Sequence, residues 1–334
     1  MKYLSALAVV CLLLAPSVVY GQQISPNPNP VGNTITVSTS GELNATTFQN
    51  NGTIDITNAG TLTNDGWLNN AGKLANSGFL KSNSGGVLTN TGTVINYTDS
   101  RLVTYFGGTL ANAGTLTNNG SLYNHGTLAN YNNSMLTNNG SLYNTGTVAN
   151  NGELTNNGHI DNVPLATFTN NGTLYGSGHI TGSYTDHGQT KPGNSAGVMT
   201  IDGNYFKVEG SKEIELGGLF DGGGDKSLTE YDWVDVTGNV ELAGTLDVSL
   251  IDGFNLHRGN EFNFLRVGGT LSGQYDDLGE GALVGNFGGQ DLFITYGGGD
   301  GNDVALFTNA VPEPTTVLIW SMLAGLGMTV RRRR

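Results

Sequence analysis

Five carboxylates crowd one short stretch, "DGGGDKSLTEYDWVD": Asp221, Asp225, Glu230, Asp232 and Asp235. Two carboxyl groups roughly 5–9.5 Å apart can hydrolyse a glycosidic bond, so this is the first place to look for chemistry. The acids belong to a Gly-rich loop and its flanking strand, and solvated loop charge is the expected role. Between 46 and 180 the only acids are Asp55, Asp65, Asp99, Glu153 and Asp161, which follow no stacked pattern. Asp300 and Asp303, in the Gly-rich "GGDGNDVAL", are weak candidates for supplying oxygen ligands to a cation. The favoured reading of that stretch is a turn that joins "LFITY" to "VALFT" as a hairpin. His125, His159 and His179 sit beside repeated glycines, and His187 and His257 are isolated, with no metal-ligand spacing. Ser195 in "GNSAG" lacks the strand–turn–helix setting of a nucleophile elbow. Tyr123, Tyr131, Tyr143 and Tyr175 recur near corners, either as a strip on which pyranose faces could rest or simply as good strand residues. No catalytic residue, cofactor site or metal site is assigned, and the expectation is a non-enzymatic protein.

Composition narrows the classes. The chain has 334 residues, 52 of them Gly, only 12% charged, with a net charge of −13. Of its 14 Lys and Arg residues, four are the last four, Arg331 to Arg334. A body this poor in cations cannot displace counterions from phosphates, which excludes nucleic acid as a partner. Cys11 is the only cysteine and lies in the leader, so disulfide and thiolate chemistry are not expected.

The middle is self-similar. "NNGTI", "NAGTL", "NDGWL", "NTGTV" and "NNGSL" all follow N-x-G-x-(apolar). Glycines fall six apart at Gly60, Gly66, Gly72 and Gly78 and in two later runs, with extra steps that are mostly eight. A fixed short period predicts a solenoid. Each unit is read as one extended stretch followed by an Asn-rich corner, with Gly supplying a positive φ at the corner. Alternation puts Leu on one face and Thr or Ser on the other. One buried Leu contributes about 1.5–3 kcal/mol, whereas ordering six backbones costs about 6–12 kcal/mol. A lone unit therefore cannot fold. Stacked units add ladder hydrogen bonds, and corner Asn amides can bond rung to rung. Low-complexity disorder is the competing reading, and the regularly placed apolar residue argues against it. The mixed steps leave the number of residues per coil open.

Both ends read as addresses. Lys2, an apolar run and small residues near Gly21 make a secretory signal peptide, with an uncleaved anchor helix as the alternative. Bulky Val10 before Cys11 argues against a lipidation site. At the other end the apolar run from 315 to 330 would span only about 24 Å as a helix, against a hydrocarbon core near 30 Å. The arginines after it would stay cytoplasmic. Val311, Pro312, Glu313 and Pro314, the short transmembrane helix and Arg331, Arg332, Arg333 and Arg334 together resemble the PEP-CTERM sorting signal. That resemblance implies an exosortase as processing partner, transient residence in the inner membrane of a Gram-negative bacterium, and delivery to the cell surface or exterior in an exopolysaccharide or biofilm setting. A permanent tail anchor is the alternative.

The repeats, "PGNSAGVMT" (Pro192 to Thr200) and the stretch from Tyr231 to Val248 resemble the passenger stems of autotransporter-type adhesins, although no translocator barrel follows. "GGDGNDVAL" resembles a single copy of the calcium-binding nonapeptide, whose function needs tandem copies. The resemblances imply an all-β chain: a right-handed parallel β-helix (β-solenoid) followed by further strands, with an N-terminal signal helix and a short C-terminal transmembrane helix. The expected divisions are a signal peptide (1–21), a Pro/Ser/Thr-rich linker and cap (22–45), an Asn/Gly solenoid (46–180), a stem-like β region (181–310) and the sorting signal (311–334). The expected function is structural or adhesive, with exopolysaccharide as a possible partner. A polysaccharide-active β-helix enzyme and a calcium-dependent carbohydrate-binding module are the alternatives. A cleft with converging carboxylates would favour the enzyme.

Overall fold

Inward-facing Leu and Asn at fixed positions set the architecture. In a computed structural model, residues 22–43, 47–193 and 195–309 are described. The expected signal peptide, and the expected sorting motif, transmembrane helix and arginine cluster, lie outside them. The described chain is a parallel β-solenoid with three faces. Successive four-residue strands pass from face C to face A to face B and round again. Thr93–Asn96, Arg101–Thr104 and Thr109–Asn112 form one such circuit. Each strand pairs with the strand one circuit earlier and one later on the same face, in register and parallel. Faces B and C have 11 strands each, so the rod is long relative to its width. Parallel pairing runs from Gln22–Gln23 through Leu271–Gly273 and crosses the expected divisions at 46 and 180 without a break. Face A then continues antiparallel through Asp303–Thr308, Gln290–Gly298 and Leu283–Phe287. The sole helix among the described residues is a 3-10 turn at Lys226–Leu228. None of the described helices is long and apolar enough to cross a membrane.

The alternation expected from the sequence is present. In Thr115–Asn118 the second and fourth residues are buried and the first and third are not. The second residue forms an apolar column on each face, such as Leu62, Leu80, Leu102, Leu122 and Leu142 on face A. The fourth residue also points inward and is Asn in most strands, with Ile56, Ser82 and Thr104 among the exceptions.

These asparagines bond rung to rung. At the corner between faces B and C, each side-chain amide donates to the amide oxygen one rung on: Asn29 to Asn50 (2.7 Å), Asn50 to Asn70 (2.6 Å), Asn70 to Asn90 (2.7 Å) and Asn90 to Asn112 (2.8 Å). The line continues through Asn130, Asn150 and Asn170. The second N–H of each amide donates to a backbone carbonyl, as from Asn130 to Glu153 (2.9 Å). Shorter ladders occupy the other two corners, among them Asn76, Asn96, Asn118 and Asn138.

The same bonds settle the coil length. In the Asn-to-Asn ladders from Asn50 to Asn170, rung partners are 18, 20 or 22 residues apart. Three six-residue steps make the shortest rung, and each eight in place of a six adds two residues. The added residues form a β-turn outside the rung, as where Ser100 N–H donates to the Tyr97 carbonyl. In five of these turns the third residue has positive φ, Gly85, Asp99, Gly107, Asn133 and Leu165, whereas Ala59 in the turn from Thr57 to Gly60 does not.

The expectation that the repeat glycines supply positive φ is incorrect for the six-residue corners. Gly72, Gly92, Gly140 and Gly158 are not left-handed. They are glycines because a Cβ would overlap the carbonyl oxygen of the glycine one rung below, Gly52 in the case of Gly72. Close vertical approach, not dihedral freedom, selects the residue.

Two outcomes follow. Asn130→Ala leaves the amide of Asn112, the Oδ1 of Asn150 and the Glu153 carbonyl short of partners, and should lower unfolding stability by about 2–4 kcal/mol, read by chemical denaturation. Leu165 is fully exposed at φ 75°, so Leu165→Asn should raise stability by about 0.5–1 kcal/mol in the same measurement.

Candidate functional site

The Asn ladder stops at Asp186, whose Oδ1 accepts from the Asn170 amide at 2.8 Å. Its Oδ2 accepts from the Thr190 hydroxyl (2.6 Å), the Tyr205 hydroxyl (3.0 Å) and the Lys207 ammonium (3.0 Å). Lys207 lies one rung on in the same column and also donates to the carbonyls of Gly188 and Ser211. Both members of the ion pair are completely buried. Lys212 takes an apolar column position on face C, beside Thr190. It is completely buried, its Nζ has no hydrogen-bond partner, and it lies 4.8 Å from the centre of the Tyr205 ring. Burial pulls this lysine down to about 7, against the opposing charge of Asp186. This interior cluster is closed to ligands and serves the rod.

Outside, two surface features bring functional groups together. The first is a cleft of about 390 Å³ on face C, lined by Glu153, Tyr175, Lys191, Ser195, Glu213, Glu215 and Asp232 among others. Lys191 is paired with Glu213 and lies 5.6 Å from the Tyr175 ring centre. Asp232 is buried and accepts from the backbone N–H of Gly197 (2.8 Å) and of Glu215 (3.0 Å). One side chain thus ties the backbone at Gly197 to the strand Ser211–Leu216. Burial pushes Asp232 up to about 8, against the pull of those two donors, and the neighbouring Glu215 charge adds to the rise.

Solvated loop charge was the expectation for the five clustered acids, and for Asp232 it is incorrect. Asp232 lies between the isolated bridge of Tyr231 to Leu216 and the face A strand Trp233–Val236, which places it against the Gly197 and Glu215 backbone. The others have defined partners. Asp221 pairs with Arg266 at 2.6 Å, and Asp235 pairs with Lys226 at 2.6 Å. Asp225 caps the 3-10 turn through Ser227 N–H, and Glu230 accepts from the N–H groups of Leu219 and Phe220.

The second feature is an aromatic strip on face A. Tyr123 and Tyr143 are register partners, with ring centres 6.0 Å apart. His125 lies 6.2 Å from Tyr105 and from Tyr143. His159 and His179 are also register partners, 4.9 Å apart. A groove of about 240 Å³ opens among Ser121, Tyr123, Ser141, Tyr143, His159 and Asp161. Two other tyrosines singled out in the sequence do not join it: Tyr131 is on an exposed turn and Tyr175 lines the face C cleft.

The hairpin from Gln290–Gly298 to Asp303–Thr308 is present. Asp303 is buried within it, its Oδ1 accepting from Val267 N–H (2.8 Å) and its Oδ2 from the Asn263 amide (2.7 Å). Asp300 is exposed on the turn. Asp303 therefore clamps the hairpin to the strand Glu261–Val267. Among the described residues no group of three or more His, Cys, Asp or Glu is placed to hold a metal. No protein-family model matches the chain, and no curated protein matches its sequence.

The two perturbed groups give a pH dependence. Lys212 costs most below its folded value near 7, and the cost disappears as pH rises towards the unfolded value of 10.5. Asp232 costs nothing below 3.8; its cost grows between 3.8 and its folded value near 8 and is at its full, constant size above that. Lys212→Met should therefore raise the melting temperature more at pH 6 than at pH 10, as measured by thermal circular dichroism.

Proposed function

We propose that the chain is an exported surface or extracellular-matrix protein with a structural and adhesive role, associated with exopolysaccharide. On this reading its leader is cleaved, the segment 311–334 is a PEP-CTERM-type signal handled by an exosortase-type enzyme, and the inner membrane holds it only in passing. The rod is right-handed, in keeping with the general preference of parallel crossovers.

The observation that carries the adhesive reading is the division of labour in the solenoid. The interior is committed to apolar columns and closed amide ladders, and what varies from rung to rung is the outward surface. Such a body suits display along a length better than enclosure of a substrate. A polysaccharide-active enzyme is the second reading, favoured by one observation: Asp232, raised by burial, adjoins Glu215 at the face C cleft. A proton-holding carboxyl beside a second carboxylate is the arrangement of an acid with its base. Against it, both Asp232 oxygens already accept backbone N–H groups.

Two measurements test the proposal. Intact mass of surface-released protein should show loss of the segment after Pro314, and a mature terminus that retains Arg334 would refute sorting. Incubation with the producer's own exopolysaccharide should give retention without depolymerisation. Depolymerisation abolished by Glu215→Gln would establish the enzyme instead.

A further inference from the structure

We infer that the face A strip is a binding site for a neutral, β-linked glycan chain lying along the rod axis. The inference rests on the adhesive reading and names its ligand and its place.

Three observations carry it. First, rings gather on one face. Tyr123 and Tyr143 stand on successive rungs with His125 beside them, and His159 and His179 follow on the next two. On face B the outward positions of the matching strands Thr109–Asn112, Thr127–Asn130 and Thr147–Asn150 are Thr and Ala alone. Rung stacking by itself does not require rings, since Thr and Ala rungs pair equally well there.

Second, the rungs repeat about 4.8 Å apart, and the ring centres lie 6.0 Å apart for Tyr123 and Tyr143 and 4.9 Å apart for His159 and His179, one outward strand position over, which is the length scale of one sugar unit. An extended β-linked chain presents ring C–H bonds to the negative face of an aromatic ring. Successive units could therefore meet successive rungs.

Third, the groove between the rings is edged with groups that hydrogen-bond hydroxyls. Ser141 is exposed, and Ser121, Asp161 and His159 are half-exposed. His159 is held by its contact with the Thr181 hydroxyl at 2.8 Å. His125 is held likewise by Thr145 at 2.8 Å. An acid at the groove and a net charge of −13 disfavour a polyanionic chain.

The test uses the purified protein with cellohexaose and chitohexaose as neutral probes, an alginate oligosaccharide as the anionic probe, and calorimetry as the readout. Tyr123→Leu with Tyr143→Leu should weaken binding of a neutral probe about ten-fold. Should that variant fold poorly, Ser121→Ile with Ser141→Ile fills the groove with strand-favouring residues, keeps both rings, and should weaken binding equally. Thr127→Val with Thr147→Val on face B should leave it unchanged. The inference is overturned if both face A variants bind as the parent does, or if only the anionic probe binds. Retention on the producer's exopolysaccharide with unaffected face A variants would leave the adhesive reading standing and remove this site. A parent protein that binds neither probes nor exopolysaccharide would remove both.

Discussion

A primary amide inside a solenoid must place two N–H donors and a carbonyl oxygen where water cannot reach. Left unpaired, each group costs about 1–3 kcal/mol. An Asn column meets all three needs only if the neighbour above and the neighbour below are at the same corner. One N–H goes to the next amide oxygen, the other to a backbone carbonyl, and the oxygen accepts from the previous amide. The requirement is what fixes register. A slip of one residue would turn the Asn outward, expose the apolar column and break the ladder bonds together. Extra residues are therefore expelled into turns, which is why rungs of 18, 20 and 22 residues pair with no change inside.

The ladder has a direction, and direction creates a terminal problem. Every amide along the long corner donates towards the C-terminal end, so the last position needs an acceptor and has no amide to pass on. Asp186 fills it, and the charge it brings is met by Lys207, which folds back onto it from the next rung. At the first position the Asn29 oxygen accepts from Asn33 at 2.6 Å. The column is closed at both ends, with a short side chain at one and an ion pair at the other. Where the ladder ends, larger rings take over cohesion in the face B column: Phe168, Tyr184 and Tyr205 stack 5.3 and 5.2 Å apart. In the same few rungs Lys212 is a buried amine with no hydrogen-bond partner, resting against the Tyr205 ring.

Some of this was legible in the residues. The inward Leu, the need for many rungs and the rung-to-rung Asn bonds follow from a periodic apolar position and from the cost of ordering one unit. The role of the repeat glycines was not legible, because a vertical contact between Gly72 and Gly52 exists only once coil length is known. Nor was the burial of Asp232. A run of acids beside "GGG" looks solvated until the strand register places one of them against the Gly197 and Glu215 backbone. The aromatic strip was half visible. Tyr123 and Tyr143 sit at matching places in "SLYN" units, whereas the company of His125, His159 and His179 depends on which corner each unit turns.

Coil length thus decides more than packing. With three faces per circuit, residues that share a face come every third unit, and the intervening units lie on the other two sides of the rod. The column rules leave the first and third strand positions and the turn inserts free, and leave the second and fourth fixed. Chemistry can then accumulate on one face at little cost to the interior, because a change at an outward position touches neither the apolar column nor the amide ladder. Between 109 and 150 face B is smooth with Thr and Ala, while face A carries Tyr and His from 121 to 179 on the same interior scaffold. The difference between the faces has no origin in the stability of the rungs, which pair alike on both.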